Sequence, residues 1–154
     1  MLFRSNPAAS PVLPDLNDPR LLEPWADSTP AAGRPLVVAV EGWYGLERDA
    51  DRRWRWAQER ASAGVWWDGA AGDATLSFGV GGPHRNIVRL LVNGKKILRV
   101  DLPGGPAAPQ RVTVRLKPGF TRLDWILDGH TFYPDGNDRR RLGFFIEDLT
   151  VTMP

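Results

Sequence analysis

The chain contains no cysteine. Disulfides, thiolate metal sites and cysteine nucleophiles are therefore excluded. Histidine is scarce as well. His84 and His130 are the only two, they lie far apart in turn-like contexts, and no His-x-x-x-His pair exists, so no ordinary zinc set is expected. No run of about 18 apolar residues reads as a membrane-spanning helix. Met1 to Pro11 has one early arginine but no apolar segment of secretory type. A Gly-x-Ser-x-Gly elbow, a phosphate-binding loop and a dinucleotide fingerprint are all missing, and Gly79–Gly82 has no following helical pattern to make it a phosphate cradle. No cofactor, metal or catalytic residue is assigned. Charge of one sign is lacking too. Twenty Lys and Arg face 18 Asp and Glu, and a net charge of +2 argues only weakly for a polyanion partner. The basic runs at 52–55 and 139–141 read as solvated strand edges and turns.

What the chain does have is tryptophan, seven in 154 residues. Trp43, Trp54, Trp56, Trp66 and Trp67 fall close together and are interleaved with Arg48, Arg52, Arg53, Arg55 and Arg60. Indole and guanidinium together make either a rigid core edge or a stacking platform for sugar rings or nucleobases. Trp54 and Trp56 share one face of a strand, whereas Trp66 and Trp67 point to opposite faces.

The length fits one domain. Residues 1–35 hold seven of the 14 prolines and read as an extended lead-in or linker, with one short helical turn over 17–25. Residues 36–154 read as the domain. Apolar or alternating runs at 36–40, 73–78, 87–92, 96–102, 112–116, 120–127 and 142–151 predict strands. Asn93-Gly94 between two of them predicts a type I′ hairpin. Residues 47–61 have helical spacing at Ala50, Trp54, Ala57 and Ala61, but the alternation of Trp54-Arg55-Trp56 favours strands at 53–58 and 62–68. The expected fold is all-β: a two-sheet antiparallel β-sandwich, jelly-roll-like, of eight or nine strands.

Exposed indoles with nearby acids and arginines suit a glycan, because sugar C–H groups pack on the ring while polar side chains bind hydroxyls. The expected ligand contacts are Trp43, Tyr44, Glu47, Arg55, Trp56 and Trp66, grouped around the loop at 42–53 and the strand after it. Glu41, Glu47 and Asp68 are the carboxylates that would have to pair for glycoside hydrolysis. Asp135-Gly136-Asn137-Asp138 reads as a hairpin turn with Asp138 paired to Arg139 or Arg140, not as a calcium loop.

Three motifs carry a resemblance. Gly42-Trp43-Tyr44 with Glu47 and Arg53-Trp54-Arg55-Trp56, the hairpin Leu91-Val92-Asn93-Gly94-Lys95, and the ending Asp138-Arg139-Arg140-Arg141-Leu142-Gly143-Phe144 occur in that order over residues 36–152. Together they resemble jelly-roll, galactose-binding-like accessory domains, the extracytoplasmic appendages of bacterial membrane glycosyltransferases and cell-envelope polysaccharide proteins. The resemblance implies a non-catalytic, glycan-associated sandwich that acts in the periplasm or at the cell surface, with a glycosyltransferase as parent and attachment to a longer polypeptide. The alternative is a structural or protein-interaction sandwich without a small ligand. Single-stranded nucleic-acid binding through Arg and Trp ranks below both.

Overall fold

The computed structural model describes residues 23–26, 33–134 and 136–154, and all regular structure among them is strand. Ten strands form: β1 Glu23–Pro24, β2 Leu36–Trp43, β3 Glu47–Arg48, β4 Arg53–Trp67, β5 Gly72–Gly82, β6 Asn86–Val92, β7 Lys95–Leu102, β8 Gly105–Leu116, β9 Gly119–Asp128 and β10 Phe144–Thr152. Alternation explains most of them. In β5 the inward residues Ala74, Leu76, Phe78 and Val80 are buried, while Thr75, Ser77 and Gly79 between them are half-covered. β9 does the same with Thr121, Leu123, Trp125 and Leu127. Asn93 and Gly94 have φ of 47° and 84° and close the β6–β7 hairpin, as the type I′ reading requires.

The strands follow one hydrogen-bonded path, β7-β6-β9-β4-β10-β5-β8, with β2 and β3 also on β4 and β1 on β2. The path makes two layers because β4 serves both. Its first part, Trp54 to Ala57, pairs with β10; its second part, Arg60 to Trp67, pairs with β9. The front layer is therefore β3-β4-β10-β5-β8, and the back layer is β1-β2-β4-β9-β6-β7. Phe78 of the front layer meets Trp125 of the back layer edge to face, ring centroids 5.6 Å apart. This is the jelly-roll-like antiparallel sandwich expected, with two very short strands added.

The expected pair of strands at 53–58 and 62–68 is one 15-residue strand with a bend. Helix loses over 47–61 because Arg55 and Ala57 point inward while Trp54 and Trp56 point outward, which is a period of two. At the bend the register on β2 jumps from Glu41↔Ser62 to Trp43↔Ala57. Gly42 turns the chain there with φ of 85°, and a Cβ on it would run into the carbonyl oxygen of Arg60.

Most of the lead-in, residues 1–22 and 27–32, lies outside the described residues. So does all but the end of the helical turn expected at 17–25; of that end, Glu23–Pro24 is strand. The core reaches back into this segment, since Trp25 is 2% exposed and packs with the sandwich core. Among the described residues no helix is long and apolar enough to cross a membrane.

Candidate functional site

Strand register sets out two rows of side chains across the outer face of the front layer. In one row Glu47 stands opposite Trp54, Trp54 opposite Glu147, Glu147 opposite Gly79, and Gly79 opposite Pro109. In the next row Tyr44 donates its backbone N–H to the Trp56 carbonyl, Trp56 stands opposite Phe145, and Phe145 opposite Gly81. Both rows run from large or charged groups on β3, β4 and β10 to glycine on β5. The glycines leave room. A Cβ at Gly81 would lie 2.7 Å from Phe145 Cζ, and one at Gly79 would lie 3.0 Å from Glu147 Oε2.

The aromatic part of this face is a contiguous patch. Trp56 meets Phe145 at 5.0 Å and Phe132 at 6.0 Å, both edge to face, and His84 packs on Phe132 at 4.7 Å. Arg52 lies 5.8 Å from the centre of the Trp54 ring, a cation–π contact. Trp54, Trp56 and Phe145 are half-buried, so each keeps part of its ring in water.

Arg140 organises the end near Tyr44. Its guanidinium lies 5.4 Å from the Tyr44 ring centre, donates to Glu47 at 2.8 Å and donates to Asp138 at 2.7 Å. Hydrogen bonds to Asp138 and Glu47 raise its pKa further, and the same contact holds the Asp138 carboxyl down at about 2. The expected turn pairing of Asp138 thus falls on Arg140. The Tyr44 hydroxyl donates to the Arg141 carbonyl at 3.1 Å and accepts from Gln58 at 2.9 Å.

β10 supplies the other polar group. Asp148 has φ of 49°, and the register against β5 shifts between Glu147 and Thr150. This bulge puts Glu147 and Asp148 side by side on the outer face before Leu149 returns to the core. Beside them is a depression of about 560 Å³, lined among others by Ser77, Gly79, Pro109, Arg111 and Glu147. Burial pushes the Glu147 carboxyl above the ordinary glutamate range; Arg52, 3.4 Å away, only partly offsets it.

The structure brings together three of the six residues expected to contact ligand: Tyr44, Glu47 and Trp56. The others sit elsewhere. The ring of Trp43 packs on Trp25 at 4.6 Å and Trp125 at 5.6 Å, and its Nε1 donates to the Ser62 carbonyl at 2.7 Å. Arg55 points inward from β4 with a side chain 3% exposed, donating to the carbonyls of Trp25, Pro24 and Tyr44 and pairing with Glu23 at 3.1 Å. It fastens β1 to β4, which is how a buried guanidinium is tolerated. Trp66 lies on the outer face of the back layer between Leu36 and Phe120.

The three carboxylates weighed as a hydrolytic set are also separated. Glu41 is on the back layer and pairs with Arg122 at 2.7 Å, Glu47 is on the front face, and Asp68 is exposed just after β4. Among the described residues no group of three His, Asp or Glu is arranged to hold a metal ion.

Trp54, Phe145, Glu147 and Arg140 are among the members of the face that the expected contact set omits. The Trp54/Trp56 alternation already signalled the first. Phe145 and Glu147 alternate in the same way with Phe144 and Ile146, but the bulge after them has no sequence mark. Arg140 reaches the site only through the fold.

No family model matches the chain, and no curated protein does. Solved structures do. A family 35 carbohydrate binding module from an environmental isolate is similar at 13% identity, covering 72% of this chain and 90% of that one, with a TM-score of 0.46. The C-terminal CBM6 of LamC, a marine laminarinase from Zobellia galactanivorans, is similar at 12% identity over 77% and 99%, TM-score 0.47. TmCBM61, solved in complex with β-1,4-galactotriose, is similar at 13% identity over 79% and 90%, TM-score 0.43. Likeness this distant carries no argument about what this chain binds, which must come from its own residues.

Proposed function

We propose that this domain is a non-catalytic glycan-binding module and that glycan lies on the outer face of the front layer. One observation carries the reading: Trp54, Trp56 and Phe145 stand side by side on that face, flanked in register by Glu47 and Glu147. Half-exposed rings offer π surface to sugar C–H groups, and the carboxylates accept from hydroxyls. The face is shallow, so binding is weak, because little area is buried and hydroxyl desolvation offsets much of each hydrogen bond.

Four arginines near this face are already held by the protein, which favours sugar over nucleic acid. Arg52 pairs with Asp49 and Glu147, Arg140 with Asp138 and Glu47, Arg141 with Glu59, and Arg55 is buried. A polyanion would have to compete with those carboxylates. An accessory role outside the cytoplasm, beside a parent glycosyltransferase, belongs to the same proposal and rests on the three sequence motifs alone.

Glycan-array binding of the purified domain, followed by calorimetric titration of wild type, Trp56→Ala and Trp66→Ala, tests the reading. Wild type and Trp66→Ala should bind, with affinity nearly independent of salt, and folded Trp56→Ala should not. Absence of glycan binding by the wild type would make the structural, protein-interaction reading the leading one. Oligonucleotide binding that collapses as salt rises would point to nucleic acid instead.

A further inference from the structure

Glu147 carries acceptor oxygens that the protein itself leaves open. Its side chain is only 14% exposed, yet among the described residues its carboxylate accepts no hydrogen bond; Arg52 at 3.4 Å is its one ion-pair partner. The Glu147 oxygens are not among the buried polar atoms, so they face the solvent on the outer side of the sheet, where the hydroxyls of a ligand can take the place of water. Gly79 opposite it keeps the space open, since Oε2 already lies 3.0 Å from where a Cβ would be. Asp148 beside it is differently placed: its Oδ1 accepts the backbone N–H of Arg53 at 3.1 Å.

The far side of the same depression holds the complementary group. Arg111 stands on β8 opposite Ser77, two residues along from Pro109, which is opposite Gly79. Its side chain is exposed and makes no ion pair or hydrogen bond among the described residues. Roughly 10 Å of sheet separates the β10 and β8 backbones, two strand spacings, which long side chains narrow to the width of one sugar ring.

We propose that Glu147 and Arg111 are the sugar-selecting pair of this face: Glu147 accepts from one hydroxyl of a neutral sugar, Arg111 donates to a neighbouring oxygen, and acidic sugars are turned away. The inference rests on the glycan reading above and adds the class of sugar and the residues that choose it. Exclusion of a uronate follows from placement. The charged groups facing Glu147 are Asp148 on its own strand, Asp49 and Arg52 from the β3–β4 turn, and Arg111 across the depression. Arg52 is already held by Asp49 at 2.9 Å, so a ligand carboxylate would meet two acids with one free guanidinium.

A pH dependence follows. Burial raises the free Glu147 carboxyl. Hydroxyl donors favour its charged form, so ligand binding lowers its pKa, and affinity must fall as pH drops through the free-state value.

The experiment is calorimetric titration with neutral tetrasaccharides of glucose, galactose and xylose and with tetragalacturonate, from about pH 7 to about pH 4. Proteins are wild type, Glu147→Gln, Arg111→Gln and Trp56→Ala, each shown to be folded by its circular dichroism and melting curve. Wild type should bind a neutral tetrasaccharide more weakly as pH falls, and should not bind tetragalacturonate. Glu147→Gln should bind about tenfold more weakly at neutral pH, with a flat pH profile. Arg111→Gln should be weaker with the pH profile kept. If Glu147→Gln binds within about twofold of wild type and keeps its pH profile, or if tetragalacturonate is preferred, this inference is overturned while loss of binding in Trp56→Ala leaves the glycan reading standing. If wild type binds none of the four, both fall together.

Discussion

On the outer face of the back layer the Phe120 ring lies over Gly64; on the outer face of the front layer the Phe145 ring lies over Gly81. The device is the same, a glycine on one strand making room for an aromatic from its neighbour, but what surrounds it differs. Around Phe120 the outward valines Val38 and Val40 are buried, 0% and 6% exposed, and form a small cluster of their own with Leu36. The polar groups there bind one another. Asp124 is 4% exposed and accepts from Ser62 and from Arg122, and Arg122 also donates to Glu41. Burial alone would raise the Asp124 carboxyl, yet the Ser62 and Arg122 hydrogen bonds outweigh it and hold it below the ordinary range. Around Phe145 the rings are half in water, Glu147 accepts no hydrogen bond, and its carboxyl is shifted upward. The contrast teaches how to tell a finished surface from a waiting one. Where polar side chains satisfy one another, burial and charge are structural; where a carboxylate stays open to solvent beside half-exposed rings, the face has the make-up of the proposed binding surface.

The largest effect should come from breaking the back face. Asp124→Ala leaves Ser62 and Arg122 without their shared acceptor and should cost about 3 kcal/mol in urea denaturation, with glycan binding unchanged. Gly64→Ala should cost about 1–3 kcal/mol, because the added methyl group would displace the Phe120 ring and open the valine cluster. Front-face changes should be milder in stability and decisive in binding. Trp56→Ala loses two edge-to-face contacts, about 1–2 kcal/mol, and with them the proposed stacking surface.

Smallest is the effect of pH, where Glu147 and the arginine-bound aspartates have opposite signs. As acid is added, Glu147 protonates before Asp124 and Asp138. Its folded pKa lies above the unfolded one, so taking up that proton adds stability to the fold. Glu147→Gln should therefore lose no melting temperature at neutral pH, and wild type should gain on it as pH falls through the Glu147 value. Asp124 and Asp138 behave the other way. The Asp138 contribution is fully present above its ordinary value of 3.8 and is lost as pH falls from there through about 2. Melting curves of the two proteins across this range check both signs.

Much of the sandwich was legible in the sequence, because alternation and an Asn-Gly turn are local signals. The site was legible in part. Trp54, Trp56, Tyr44 and Glu47 are close along the chain, and parity alone puts the first two on one face. Parity also marks Arg55 as pointing away from them, so its inward position was open to inference; what was not visible was that Trp25 and Pro24 would return from the lead-in to satisfy it. Trp66 lies apart from Trp54 and Trp56 because β4 changes partners at 58–60 and passes from one layer to the other. Glu147, Arg111 and Arg140 are distant in sequence and meet the face only through long-range register.

The central claim is that glycan lies on the front face and nowhere else on the sandwich. Indole N–H signals test it most directly, since the seven tryptophans are spread over core, front and back. Trp43 and Trp67 donate to the carbonyls of Ser62 and Ala70, Trp25 and Trp125 are buried, and Trp66 is on the back face. On titration with the neutral tetrasaccharides, followed by nuclear magnetic resonance, the Trp54 and Trp56 signals should move while those of Trp66, Trp25 and Trp125 stay in place. Movement of Trp66 with Trp54 and Trp56 unchanged, or no movement at saturating sugar, would contradict the account.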